Sequence, residues 1–387
     1  MRFSKAAVAA FCVLSAAVAA PASAQQQGVT DSEILLGDIA PLTGPPGFLG
    51  LAHNIGVRLA VAEINAQGGI AGRKLRLISE DDGYVVSRTI AGVRKLVTVD
   101  KVFALASLSG TAHGQAALPL VKSLGVPTIS TMSFADDLHT PTVKNVFAIG
   151  TQHPLVAEQL TTALADRYPG KKWGVVLQDD EYGELTREGF QVAQKARKLD
   201  VVFTAVYKKG QVDFSSEMLR LKEAGAEMLY AGGIINEDVA MAKELERLGL
   251  KIPMGISFVA RAPVTLQLMG RAAERVYALD YVVAEDSDKG KAFMEKARAL
   301  LSAEDFKRVN RFTFTGYAGA RVLFDAFARY GKALTWACAL TQLESTKGFD
   351  TTVLSSPVSL GPTQHLSLQK LVLLKANPAS LSFEQIR

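Results

Sequence analysis

The 387-residue chain has only two cysteines and five histidines. Cys12 lies in an N-terminal apolar segment, so a chain processed after that segment keeps Cys338 alone and can form no internal disulfide. Stability must then come from ordinary core burial. Cys338 sits in the helix-like stretch Leu334–Leu340, where it is expected to be a buried thiol. His53, His113, His139, His153 and His365 are scattered without the spacing of metal ligands, so no metal is expected. No G-x-S-x-G, H-E-x-x-H, C-x-x-C or G-x-x-x-x-G-K motif occurs, and no cofactor is expected either. Gly68-Gly-Ile-Ala-Gly72 is glycine-rich but follows a helical pattern, which a strand-to-helix phosphate loop does not.

Charge of one sign is also scarce. The 43 Lys and Arg exceed the 38 Asp and Glu by five, and two of that excess, Arg2 and Lys5, lie in the first 24 residues. Without a dense basic patch, nucleic acid is not an expected partner. After residue 24 no stretch approaches the roughly 20 apolar residues of a membrane span. Residues 1–24 themselves read as a secretory signal: a basic start, an apolar core at about Ala6–Ala20, then Ala22-Ser23-Ala24 as an A-x-A cleavage site. Cys12 lacks a lipobox context, so the mature chain is expected to be soluble in the periplasm.

What is present is globular: 48% of the residues are hydrophobic and 21% charged, and the length suggests two domains. From Glu33 onward, short apolar runs alternate with amphipathic stretches, the signature of βα units in a largely parallel sheet. One series runs from about Ile34 to Ile149. A second opens at Trp173-Gly-Val-Val-Leu-Gln-Asp-Asp and ends near Val283, with Gly150–Pro154 as the crossing between them. Helices are expected at Ala52–Asn65 and Gln115–Leu124 among others, and a helical tail at about Ser287–Tyr330 must pack on one of the lobes.

Several acidic groups follow expected strands, namely Asp81-Asp82, Asp136-Asp137 and Asp179-Asp180-Glu181. Loops at those positions carry ligands in open α/β sheets, but adjacent carboxylates are also ordinary turn residues and helix caps. No nucleophile, base and orienting group can be brought together from the sequence, so no catalytic residue is assigned. Binding without chemistry is the expectation.

Six ordered segments resemble the type I periplasmic binding proteins, in the Leu/Ile/Val-binding branch that serves ABC importers. They are Ile34-Leu-Leu-Gly-Asp-Ile-Ala-Pro-Leu-Thr-Gly44, Ala60-Val-Ala-Glu-Ile-Asn-Ala-Gln-Gly-Gly-Ile-Ala-Gly72, Leu75–Asp82, Gln178-Asp-Asp-Glu-Tyr-Gly183, Tyr230-Ala-Gly-Gly233 and Gly361-Pro-x-x-His365. The resemblance implies an α/β fold of two Rossmann-like lobes joined by three crossings, with the ligand in the cleft between them. The N-terminal lobe is expected to take residues 28–150 plus 284–363, and the C-terminal lobe 151–283 plus 364–387, with a strand at Lys370–Leu374. A permease of an ABC importer is the implied partner, and the protein is expected to be a monomer. The same fold also serves as a ligand-sensing domain that feeds a regulator or chemoreceptor, and the sequence does not separate the two roles.

The resemblance also carries a set of ligand-binding residues. Ser109, Gly110, Thr111 and His113 match the loop that holds the ligand carboxylate at a helix start, where unpaired N–H groups and the helix dipole favour an anion. Ser109 or Thr111 could instead serve only as a cap. Met132, Ser133 and Phe134 match the next loop, Phe134 either touching ligand or closing a core edge. Tyr182 matches the aromatic that closes over the ligand from the second lobe, or is a structural tyrosine. Ile234 stands where relatives carry an aromatic, and Ser257 or Phe258 where amino-acid binders carry the acid for the ligand ammonium. Glu237 or Asp238 could substitute for that acid. The implied ligand is a small carboxylate, branched-chain amino acid-like or an apolar or aromatic acid; burying an ammonium without a carboxylate costs several kcal/mol, so the departures point to the second.

Overall fold

The computed structural model describes residues 26–44, 46–133 and 135–386. The expected signal segment and Phe134 lie outside the described residues. The first series of elements is β1 (Glu33–Ala40), α1 (Gly47–Ala66), β2 (Lys74–Asp81), α2 (Val86–Thr98), β3 (Ala104–Leu105), α3 (Thr111–Leu124), β4 (Thr128–Ser130) and β5 (Val146–Gly150). The second begins with α4 (His153–Arg167), β6 (Lys172–Gln178), α5 (Glu181–Arg197), β7 (Asp200–Tyr207) and α6 (Ser215–Glu223). It continues through β8 (Met228–Gly232), α7 (Asn236–Arg247), β9 (Met254–Ile256), α8 (Pro263–Met269) and β10 (Val276–Asp280). The tail adds α9 (Asp288–Leu300), α10 (Ala303–Phe306), α11 (Arg311–Tyr330), α12 (Trp336–Glu344), β11 (Leu366–Leu368), β12 (Val372–Asn377) and β13 (Ser382–Gln385).

The strands form two sheets. The first has the order β11-β5-β4-β3-β1-β2, and each of its pairs is parallel. The second has the order β13-β12-β10-β9-β8-β6-β7, parallel from β10 to β7 and closed by the antiparallel β12 and β13. Central strands such as Val146–Gly150 and Met228–Gly232 are buried throughout, as a sheet covered by helices on both faces requires. The chain passes from the first sheet to the second after β5, returns after β10 and crosses again after β11. This is the expected two-lobed α/β architecture with three crossings. In each sheet the order reverses beside the first-formed strand, β1 in one and β6 in the other, which leaves a crevice at the carboxyl ends of the strands.

Three sequence expectations shift. Helix α3 begins at Thr111 rather than Gln115, and α1 at Gly47 rather than Ala52. Their first turns are rich in Gly, Thr and His, poor helix formers whose conformation is set by packing rather than propensity. Residues 366–368 pair with β5, Leu366 opposite Ala148, so this part of the 364–387 segment belongs to the first sheet. His365 ties it there: its Nδ1 lies 2.9 Å from the Val143 carbonyl and its ring stacks on Phe147. Cys338 is half-buried rather than buried, because α12 turns Ala339, Leu340 and Leu343 inward instead.

The helical tail packs on the first lobe through α11 and α1. Glycines permit the close approach: a Cβ on Gly56 would stand 2.0 Å from the Thr313 carbonyl oxygen, and one on Gly316 2.2 Å from that of His53. Gly56→Ala should therefore lower stability by about 1–3 kcal/mol, as overpacking does, with a matching fall in the urea midpoint. No described helix is long and apolar enough to cross a membrane.

Candidate ligand-binding site

The carboxyl ends of both sheets converge on one chamber. From the first sheet, Pro41 follows β1, Ser109-Gly110-Thr111 follow β3, and Thr131-Met132 follow β4. From the second, Tyr182 follows β6, Ile234 follows β8, and Phe258-Val259 follow β9. His153 enters at the first crossing, and Leu49, Tyr84, Arg311 and Phe312 complete the wall. The chamber is a cavity of about 60 Å³. Adding the radius of a water makes it about 7–8 Å across, room for a single ring or a short branched chain.

The two first-sheet loops brace each other. Ser109 and Met132 form a parallel bridge, and the Gly110 N–H donates to the Met132 carbonyl at 3.2 Å. Gly110 caps α3 at φ 83°, and a Cβ there would meet His113 Nδ1 at 2.7 Å and the Tyr84 ring at 3.0 Å. The first turn of α3 has no cap side chain accepting from it, and its start, Gly110 and Thr111, lies in the chamber wall, where a helix N-terminus favours an anion. Thr111 Oγ1 also lies 3.4 Å from His153 Nε2. His153 stacks on Phe258 and meets Tyr182 edge-on, so three rings wall the second-lobe side. Tyr182 donates its hydroxyl proton to the Gly233 carbonyl at 3.1 Å, which fixes the ring.

Of the residues singled out from sequence, Ser109, Gly110, Thr111, Met132, Tyr182 and Ile234 line the chamber. His113 does not: once α3 starts at Thr111, its side chain turns behind the loop and stacks on Tyr84, with ring centres 4.3 Å apart. Ser133 is buried against Gly114, where Ser130 Oγ bridges to its backbone. Ser257 accepts from the Val259 N–H as the cap of a short 3-10 turn, and it is Phe258 that reaches the chamber. The acidic pairs take structural roles: Asp81 accepts from the Leu42, Thr43 and Gly83 N–H groups, and Asp180 caps α5 through Gly183.

Tyr84, His153 and Arg311 were not singled out as ligand contacts. His153 could have been found from its place in the crossing beside Pro154. Tyr84 and Arg311 left no sequence signal, since tertiary folding alone brings them in. Tyr84 holds a left-handed backbone, φ 60°, with its N–H donating to Asp82 Oδ1 at 2.8 Å; such strain concentrates at functional sites. Arg311, the first residue of α11, is buried. It donates from Nε and Nη2 to both oxygens of Asp280 at 2.7 Å, and its guanidinium lies over the Phe258 ring at 4.9 Å. Asp280 also accepts from Arg261 Nη1 at 2.8 Å. Burial alone would raise the Asp280 pKa, but the two guanidiniums outweigh it and hold the carboxyl below its ordinary value.

Among the described residues no carboxylate lines the chamber. Asp238 lies behind it, accepting from the Gly233 N–H at 3.0 Å; burial, with Glu237 beside it, pushes its pKa well above the usual range. Burial lowers the His153 pKa from 6.5 to about 4, so the ring is neutral near pH 7. The fold favours the neutral form, so this contribution to stability is complete above pH 6.5 and is lost as pH falls toward 4. His53, lowered to about 3 by burial, acts in the same direction, whereas Asp38, raised by burial to about 6, acts in the opposite one. His153→Phe should flatten the acid-side decline in unfolding free energy by up to about 3 kcal/mol, measured by urea titration from pH 7 to 4.

A two-lobed α/β body with an aromatic-walled chamber between the strand ends of its lobes defines a solute-binding protein. The chain belongs to the periplasmic binding protein family, whose model matches residues 33–380. It is a binding protein rather than an enzyme. A Leu/Ile/Val-binding protein homolog from Brucella abortus (strain 2308) is 25% identical over 355 residues, covering 88% of this chain and 82% of that protein. Among solved structures, a branched-chain amino acid ABC transporter protein from Thermus thermophilus with bound valine superposes with a TM-score of 0.84 at 19% identity, covering 94% of this chain and 96% of that one. An ABC transporter solute-binding protein from R. palustris in complex with 4-hydroxybenzoate gives a TM-score of 0.81 at 19% identity, covering 92% and 96%.

Proposed function

We propose that this protein is the periplasmic solute receptor of an ABC importer and that it closes its two lobes over a small apolar or aromatic carboxylate. Its lobes in this reading are residues 28–150 plus 284–368 and residues 151–283 plus 369–387, exported by the 1–24 signal. The observation that carries the reading is the composition of the chamber wall. Hydroxyls and a helix N-terminus lie on one side, aromatic rings on the other, Arg311 adds a guanidinium that is ion-paired to Asp280, and among the described residues no carboxylate lines the chamber itself. An anionic head with an apolar body matches that wall, whereas an α-amino acid would bury its ammonium unpaired. The 4-hydroxybenzoate held by the R. palustris protein is of this class. The valine held by the Thermus protein is not.

Lobe closure supplies the signal: ligand contacts from both lobes favour the closed form, and that shape is what a permease distinguishes. Calorimetry on refolded, ligand-stripped protein tests the assignment. Benzoate-type acids should bind at least about tenfold more tightly than leucine, a difference of about 1.4 kcal/mol. Tight leucine binding with no response to aromatic acids overturns it.

A further inference from the structure

A second cavity opens from the first toward the mouth of the cleft. It has a volume of about 290 Å³ and shares Tyr84 and Ile234 with the chamber. Its inner end is apolar, with Phe48 from the first lobe and Ile235 from the second. Its polar side chains are Lys209, Asn236 and Glu237. Glu237 is 6% exposed, unusual for a carboxylate without an ion pair. Its Oε1 accepts from the Gly210 N–H at 3.2 Å, and among the described residues Oε2 takes no hydrogen bond.

Lys209 is already engaged. Its ammonium lies 3.5 Å from the centre of the Tyr84 ring and 3.4 Å from the Tyr84 carbonyl oxygen, spanning the cleft between β7 and β2. It stands among three carboxylates, Asp82, Asp180 and Glu237, so the field around the cavity is negative despite it. A carboxylate on a residue only 6% exposed, with one oxygen bonded to Gly210 and the other open to the cavity, beside a chamber that shares two of its lining residues, is an acceptor for a donor at the far end of the same ligand.

We propose that this second cavity is a ligand subsite in which Glu237 accepts a hydrogen bond from a distal hydroxyl or ammonium of a molecule whose carboxylate is held at Ser109–Thr111. The proposal rests on the reading of the chamber given above and narrows it. The ligand class becomes carboxylates with an apolar or aromatic middle and a hydrogen-bond donor opposite the acid. Lys209 and Tyr84 close over that middle and separate it from solvent.

Calorimetry on the full mature protein with four probes tests this: benzoate, 4-hydroxybenzoate, 4-(aminomethyl)benzoate and terephthalate. At least one para-donor compound should bind about tenfold or more tightly than benzoate, and terephthalate, which sets a carboxylate against Glu237, should bind no better than benzoate. Glu237→Met should erase the gain while leaving benzoate affinity within about twofold, which also reports that the variant is folded. Glu237→Gln distinguishes the donors, keeping a hydroxyl gain and losing an ammonium gain. Equal binding of all four probes, a gain that survives in Glu237→Met, or preferred binding of terephthalate overturns the subsite alone. Failure of all four to bind overturns the reading of the chamber, and the subsite with it.

Discussion

Arg311→Met is expected to lower the unfolding free energy by about 3–5 kcal/mol, because it removes one partner of a buried ion pair and leaves the other charge uncompensated. The guanidinium and Asp280 are both buried, and their contact is bidentate at 2.7 Å. Asp280 would keep Arg261 alone, itself shared with the half-buried Glu285. Urea denaturation at pH 7 measures the loss. The Asp280 pKa lies below its ordinary value, so the pair contributes fully above the unfolded pKa of about 3.9 and its contribution disappears as pH falls through the depressed value. Wild type and variant should therefore converge in acid. A stability gap that stays constant down to pH 2 would show that lost packing on Phe258, not charge, accounts for the effect. Because Arg311 also lines the chamber, the variant should bind carboxylate ligands at least about tenfold more weakly when assayed under conditions where it is folded.

The second large effect is on affinity. Ser109→Ala and Thr111→Val remove hydroxyls at the start of α3 while keeping the size of each side chain close to the original. Hydrogen bonds to a charged group contribute about 1.5–3 kcal/mol each, so each variant should weaken carboxylate binding by roughly 10- to 150-fold. Thr111→Val also breaks the contact to His153. The two losses need not add, since both hydroxyls face one small anion. Unfolding midpoints without ligand should move little for Ser109→Ala, and calorimetric affinity should fall. If neither substitution changes affinity, both hydroxyls serve the loop and not the ligand.

The fold was largely legible because parallel sheets covered on both faces write themselves as continuous apolar runs. Val146–Gly150 and Lys172–Gln178 are such runs, and the first-lobe place of the tail, which the family resemblance implies, is where α11 packs against α1. Elements specified by partners rather than by pattern were not legible. Residues 366–368 carry one serine between two leucines, too short a run to assign, and only pairing with β5 makes them a strand. Hairpin β12–β13 was half found for the same reason.

In the site, residues on loops that directly follow strands were readable: Ser109 to Thr111, Met132, Tyr182 and Ile234. Two positions differ. The family resemblance implies His113 in the ligand loop, but with α3 starting at Thr111 its ring stacks on Tyr84 instead. Of Ser257 and Phe258, both open from the sequence, a 3-10 turn makes Ser257 the cap and brings Phe258 to the chamber.

By itself the sequence determined the two parallel series, since these depend on periodicity, and it carries the six ordered segments on which the family resemblance rests. Tertiary structure alone decided that Tyr84 lines both cavities, beside Arg311 in one and Glu237 in the other. They come from three separate stretches whose backbones share no local pattern, and a charge or a ring carries no mark of the distant surface against which folding will bury it.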